Sequence, residues 1–276
     1  MSYNPISDYG LIGDMHSCAL VSKAGSVDWC CLPRFDGAAV FSRLLDHNQG
    51  GFYEIAPSGL RSIQRRYLPG TNVLETTFHT DTGVATLTDL MPLHGHSSPT
   101  VPLEIATGQR ISRILECTAG NVAFSMGCYP RFDYGTIIPH AVANDPHNGF
   151  AHGGAEGLSF YSSLPMTVAG DGFQVEGRLS EGQKFHTAIT NQTSFTHKGD
   201  HVDAGRLDEE LAQTVSFWRE WSEICTYKGP YRDDVLRSAL VLKALTYAPS
   251  GALVAAATTS LPEIIGGSRN WDYRFT

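Results

Sequence analysis

The run Asn72-Val73-Leu74-Glu75-Thr76-Thr77-Phe78-His79-Thr80, then Asp81-Thr82-Gly83, then Val84-Ala85-Thr86-Leu87-Thr88-Asp89-Leu90 decides the fold class. Leu74, Thr76 and Phe78 alternate with Val73, Glu75 and Thr77. Successive strand side chains point to opposite faces, so one set meets a core and the other tolerates solvent. The Gly-containing break between the two arms makes them a hairpin. Ala19-Leu20-Val21-Ser22, Lys23-Ala24-Gly25-Ser26 and Val27-Asp28-Trp29-Cys30-Cys31-Leu32 repeat the device. Further strands are predicted over 111–117, 122–129, 158–162, 173–176 and 184–190. With no helical period between them, these strands favour an antiparallel sandwich over a parallel α/β sheet. The stretch 135–157, with several glycines and His140, His147 and His152, reads as a long loop.

Near residue 207 the period changes. Leu207, Leu211, Val215, Trp218 and Trp221 or Ser222 recur at helical spacing, with Glu209 and Glu210 on the face expected to meet solvent. Gly229-Pro230 breaks the chain, and a second helix is expected from Tyr231 to Tyr247 with Val235, Leu236, Ala239, Leu242 and Tyr247 buried. Ala248-Pro249-Ser250-Gly251 ends it. The stretch 253–259 is small and apolar, and Asn270-Trp271-Asp272-Tyr273-Arg274-Phe275-Thr276 closes the sequence without a polar tail. Two helices do not enclose a helical core, so continuation beyond Thr276 is expected. The division is 1–200, a β-sandwich; 201–228, a linker helix region; and 229–276, the start of a helical domain.

Only 17% of residues are charged and the formal net charge is -8, which gives no electrostatic reason for binding nucleic acid or an anionic membrane. No run approaches the roughly 20 apolar residues of a membrane span. Met1 to Gly10 lacks a basic stretch followed by an apolar run, so no secretory leader and a cytoplasmic location are expected. The six cysteines match neither a zinc ribbon nor a compact disulfide framework and are expected as reduced thiols. His94 and His96 and the histidines of 135–157 do not define a metal site, and no cofactor is expected.

Several long words in fixed order carry more than any single motif. Ile6-Ser7-Asp8-Tyr9-Gly10-Leu11-Ile12-Gly13-Asp14, Gly25-Ser26-Val27-Asp28-Trp29 and Cys31-Leu32-Pro33-Arg34-Phe35-Asp36 come first. Arg66 to Thr76 and Pro130-Arg131-Phe132-Asp133-Tyr134-Gly135 follow, then Arg237-Ser238-Ala239-Leu240, Thr258 to Glu263 and Gly266-Gly267 with Asn270–Thr276. With these words the chain resembles the bacterial branch of glycoside hydrolase family 15, glucoamylase-like and trehalase-like enzymes. The resemblance implies a large antiparallel β-sandwich joined by a linker helix to an (α/α)6 barrel. It also implies inverting hydrolysis of α-glucosidic bonds, with both catalytic glutamates beyond Thr276.

No catalytic residue is therefore assigned within the chain. Tyr273 is the first candidate for substrate contact, its ring against a glucose face and its hydroxyl as a hydrogen-bonding group. Trp271, Asp272 and Arg274 are weaker candidates, with loop support as the competing role. Glu263 reads as a loop acid, and Asp14, Asp28, Asp36 and Asp133 as turn-bonded or paired groups. The expected partner is an α-glucoside; nothing fixes the oligomeric state. Two other readings compete: a carbohydrate-binding or structural sandwich stacking sugars on Trp29, Tyr129 or Phe132, and a protein-interaction module.

Overall fold

The computed structural model describes residues 3–93, 109–194, 202–262 and 267. In chain order its strands are β1 (Tyr9–Gly13), β2 (Cys18–Ser22), β3 (Ser26–Cys31), β4 (Ala39–Phe41) and β5 (Phe52–Pro57). There follow β6 (Leu60–Tyr67), β7 (Leu74–Thr80), β8 (Gly83–Leu90), β9 (Arg110–Tyr129) and β10 (His140–Ala143). The last are β11 (Asn148–Gly153), β12 (Glu156–Ser162), β13 (Thr167–Ala169), β14 (Gly172–Ser180) and β15 (Lys184–Thr193), ahead of helices α1 (Ala204–Ser222) and α2 (Arg232–Ala244). The hairpin at 72–90 forms with the face its alternation predicts: Thr76 opposes Leu87 and Phe78 opposes Ala85, all buried.

The two layers of the sandwich share β9. Its first half pairs with β8 and β15, its second with β5 and β14. Sequence alternation separates 111–117 from 122–129 because 118–121 is polar and exposed. The chain bends there without leaving the strand, with Gly120 at a φ of 68° that a side chain would strain. Between the layers, Phe124 and Phe185 lie 4.8 Å apart and Phe160 and Phe173 stack at 4.7 Å. Each such ring contributes about 1.5–3 kcal/mol by leaving water.

The stretch 135–157 is not a loop. It holds β10 and β11, and His140 and His152 face each other across them with ring centroids 5.6 Å apart. Its glycines hid a ladder whose pairing rests on main-chain bonds more than on apolar alternation. All six cysteines are free, five of them buried and Cys225 half-buried.

The sandwich core also encloses an ion pair. Arg113 and Asp89 are both 0% exposed, with Arg113 Nε donating to Asp89 Oδ1 at 2.7 Å. The other guanidinium nitrogens donate to the carbonyls of Tyr53 and Gly25. Gly25 holds a φ of 88° in the turn between β2 and β3, and a Cβ there would meet Ile55 O at 2.8 Å.

Asp203 caps α1 by accepting from the Arg206 amide at 2.8 Å. The buried face of α1 is Leu207, Glu210, Thr214, Phe217, Trp218 and Ser222, so Glu210 is not on the solvated face assigned to it. At 2% exposure it pairs with Arg110, which projects from β9, and with Arg206 one turn back at 3.1 Å. Glu209 does remain exposed. α2 starts one residue later than expected and ends three residues earlier, because the chain leaves helical geometry at Leu245 and Thr246 bridges to Leu253. Its buried line is Leu240 and Ala244 with Leu236 half-buried, whereas Val235 and Leu242 are 40% and 53% exposed. The apolar positions occupy two sides of the helix, and the sandwich and α1 cover one. Among the described residues no helix is long and apolar enough to cross a membrane.

Candidate functional site

The words that stand out in the sequence converge where the sandwich meets the helical extension. Asn72 Nδ2 donates to the Leu240 carbonyl at 2.9 Å, and Arg237 donates to Thr71 O at 2.8 Å and to Asn72 Oδ1. The Arg237 guanidinium also lies 4.0 Å from the centre of the Tyr67 ring. Asp14 Oδ1 accepts from the amides of His16 and Ser17 in a buried turn, where desolvation raises its pKa. The Ala248 amide donates to Met15 O in the same turn. His16 and Phe35 both pack edge-on against Tyr247, and Arg34, paired with Asp36 at 2.8 Å, sits 5.2 Å over that ring.

Beyond this joint the chain crosses the outer face of β3. Trp29, 0% exposed, donates from Nε1 to Ala257 O at 2.9 Å. Cys31 Sγ lies 3.3 Å from Ser260 Oγ, and burial pushes the thiol up to about 11. The Tyr134 hydroxyl reaches Ser260 O at 3.3 Å and Gly37 O at 3.4 Å. Leu261 packs against Trp29, Cys31 and Ala39. The loop 257–261 thus rests on a seat made by the sandwich.

Tyr134 is delivered by the word Pro130 to Gly135. Phe132 is buried and bridges to Ile137, and between them Asp133, Tyr134 and Gly135 take φ values of 49°, 57° and 97°. Two consecutive non-glycine residues in the left-handed region are costly and persist only when the surroundings over-determine them. The surroundings here are the Gly135 amide on Phe132 O and the Thr136 hydroxyl on both Asp133 O and Asp133 Oδ2.

A cleft of about 430 Å³ opens at the joint, lined by Tyr67, Leu68, Thr71, Ser222, Arg232 and Arg237 among others. Its acids, Glu223 and Asp233, are both exposed, so neither has the desolvated environment by which a general acid is tuned. Asp28 accepts from Tyr9 and Ser26 and pairs with Arg43 at 3.7 Å, a structural network. Of the aromatics considered for sugar stacking, Trp29 and Phe132 are fully buried, and Tyr129 packs on Phe52 at 5.3 Å. Among the described residues no cluster of three or more His, Cys, Asp or Glu is placed to hold a metal ion. Trp271, Asp272, Tyr273 and Arg274 lie outside the described residues, as do Glu263, His94 and His96. The sequence quotes Trp29 and Tyr134 inside its words but carries no sign that they meet the chain more than 120 residues later.

The fold is a two-layer antiparallel sandwich whose distinctive residues brace the two helices that follow it. Residues 2–174 match the family described as trehalase-like, N-terminal, and the chain belongs to that family. It is 34% identical over 294 residues to a trehalase of Mycolicibacterium smegmatis, an alignment covering 99% of this chain and 43% of that protein. A trehalase of Thermoplasma volcanium is 34% identical over 277 residues, with 99% and 43% covered. Trehalase 1 of Sulfolobus acidocaldarius is 32% identical over 270 residues, with 96% and 42% covered. The chain therefore spans a little over two-fifths of the length of these relatives. It is a glycosidase-related N-terminal domain.

Proposed function

We propose that this chain is the amino-terminal part of an inverting glycoside hydrolase acting on α-glucosidic bonds, with trehalose as the substrate. In this reading 1–200 is the accessory sandwich, 201–228 the linker and 229–276 the start of an (α/α)6 catalytic barrel. The observation that carries it is the extent of the similarity: 99% of the chain, the helical end included, aligns with proteins named trehalase. The exposed Val235 and Leu242 on α2 support it, since a helix inside a larger helical layer needs apolar groups on two sides.

Cleaving the acetal needs one carboxylic acid to protonate the leaving sugar and one carboxylate to activate water, roughly 6.5–9.5 Å apart when the mechanism inverts. Both are assigned, on the resemblance to the family, to the continuation beyond Thr276. Within the chain, Tyr273 is assigned to the face of the reacting glucose, with Trp271, Asp272 and Arg274 holding the loop around it.

The test is the anomeric composition of fresh product. A chain continued through its helical domain and given α,α-trehalose should release α- and β-glucose in equal amounts before mutarotation. Release of α-glucose alone would mean a retaining mechanism. Faster cleavage of maltose than of trehalose would move the assignment to a glucoamylase-type enzyme, and cleavage of neither would remove it.

A further inference from the structure

We propose that His140 and His152 form a two-histidine chelate for a divalent transition-metal ion of the zinc, nickel or copper class, on the outer face of the sheet at its β10 edge. The site stands apart from the hydrolase reading and uses neither the joint nor any residue of the helical extension.

The two histidines meet through the register of a hairpin. β10 ends the strand order and pairs with β11, which sets His140 directly opposite His152. The next pair along, Ala141 and Ala151, is buried in the sandwich core, so strand alternation turns both imidazoles to the outer face. The ring centroids lie 5.6 Å apart with the planes at 87°. A metal ion sits about 2.0–2.1 Å from each imidazole nitrogen, and each nitrogen about 1.1 Å from its ring centre, so two rings at a tetrahedral angle have centres about 5.1 Å apart. The pair is within about half an ångström of that spacing, which a small side-chain rotation of the exposed His140 supplies.

The platform under the pair is ordered. Phe150, two residues before His152 on the same face of β11, stacks on its ring at 5.5 Å and 19°. Across from His152 on β12 stands Gly157, where a Cβ would meet Phe150 Cζ at 2.7 Å, so glycine there leaves the stacked ring its room. The turn between β10 and β11 is held by Asp145, whose Oδ1 accepts from the amides of His147 and Asn148 at 2.7 and 2.9 Å. One ligand ring is therefore set in advance and the other has only to rotate. His147 and His186 have different tasks: Nδ1 of His147 lies 2.9 Å from Ser162 O, and Nε2 of His186 lies 3.1 Å from Asp208 Oδ1.

Imidazole suits zinc, nickel and copper, whereas magnesium and calcium take oxygen ligands. Two protein ligands leave the remaining positions of the ion to water, and copper should bind more tightly than zinc. A bound ion ties the edge strand to its inner neighbour.

Titration of the 276-residue chain with ZnCl2, followed by the imidazole nitrogen resonances, tests the site. Those of His140 and His152 should shift together along one binding curve, while the His147 ring holds. His140→Ala and His152→Ala should each weaken Zn2+ binding at the remaining ring by about tenfold or more, since loss of even an outer partner of a ligand costs about 10–100-fold. His147→Ala should leave the curve unchanged, CuCl2 should move it to lower concentration, and MgCl2 should shift neither ring. In the unsubstituted chain, Zn2+ at about ten times its Kd should slow hydrogen exchange of the β10 amides by about tenfold, reversed by EDTA. Rings that titrate independently, binding that survives either alanine substitution, or β10 exchange unmoved by Zn2+ would each overturn the proposal.

Discussion

Replacing Arg113 by methionine is expected to cost about 3–5 kcal/mol of stability, because it strands a carboxylate in the middle of the sandwich. Asp89 is fully buried, its Oδ1 bonded to Arg113 and its Oδ2 without a hydrogen-bond partner. Burial already pushes its pKa upward, and the charge and hydrogen bond of Arg113 are what oppose that shift. Without them the carboxyl is driven to its protonated form. The folded value then lies well above the unfolded value of about 3.9, so the folded state holds the extra proton and stability falls as pH rises. The deficit of Arg113→Met, measured by urea unfolding, should accordingly be larger at pH 8 than at pH 5. The double variant Arg113→Met with Asp89→Leu should recover most of it, since an apolar pair of similar volume carries no desolvation cost. A single-variant deficit below about 1 kcal/mol, the range of an exposed pair, would mean that the pair is not buried in solution.

Glu210→Ala should cost nearly as much, by a different route. It removes the Glu210 carboxylate from Arg110, which is 4% exposed and also donates to Thr190 Oγ1, and it does so at the contact that docks α1 on the sheet. A loss of about 3 kcal/mol is expected. The neighbouring Glu209→Ala, at an exposed position, should stay within about 0.5 kcal/mol. Because the lost pair joins helix to sheet, amides of α1 should lose protection before those of β9 and β15 do. Equal small effects at 209 and 210 would place both glutamates in solvent.

That contrast shows what the sequence discloses and what it hides. Alternation at 72–90 announces a hairpin and its buried face because each residue reports on its own environment. The fate of Glu210 depends on Arg110, a hundred residues away, and no local pattern encodes that meeting. The polar bend at 118–121 conceals that β9 is continuous, and glycines conceal β10 and β11, for the same reason: pairing there is made by the main chain. The period of α1 gives its existence and length. Its rotation is fixed by which neighbours accept a buried charge.

At the candidate site the word Pro130 to Gly135 stands out in the sequence, yet the left-handed backbone that carries Tyr134 is seen only in the φ values. Trp29 likewise reads as core or as a sugar platform until its single donor is seen on Ala257 O. Most of the distinctive words turn out to build the joint between sandwich and helices. They serve packing between the sandwich and the helices, and this is why they identify a family without supplying its chemistry.

Glucose release from trehalose, compared between residues 1–276 and the same chain continued through its helical domain, tests that account most directly. The continued chain should turn over and residues 1–276 should not. Turnover by residues 1–276 that disappears on substituting one of their own carboxylates would contradict it.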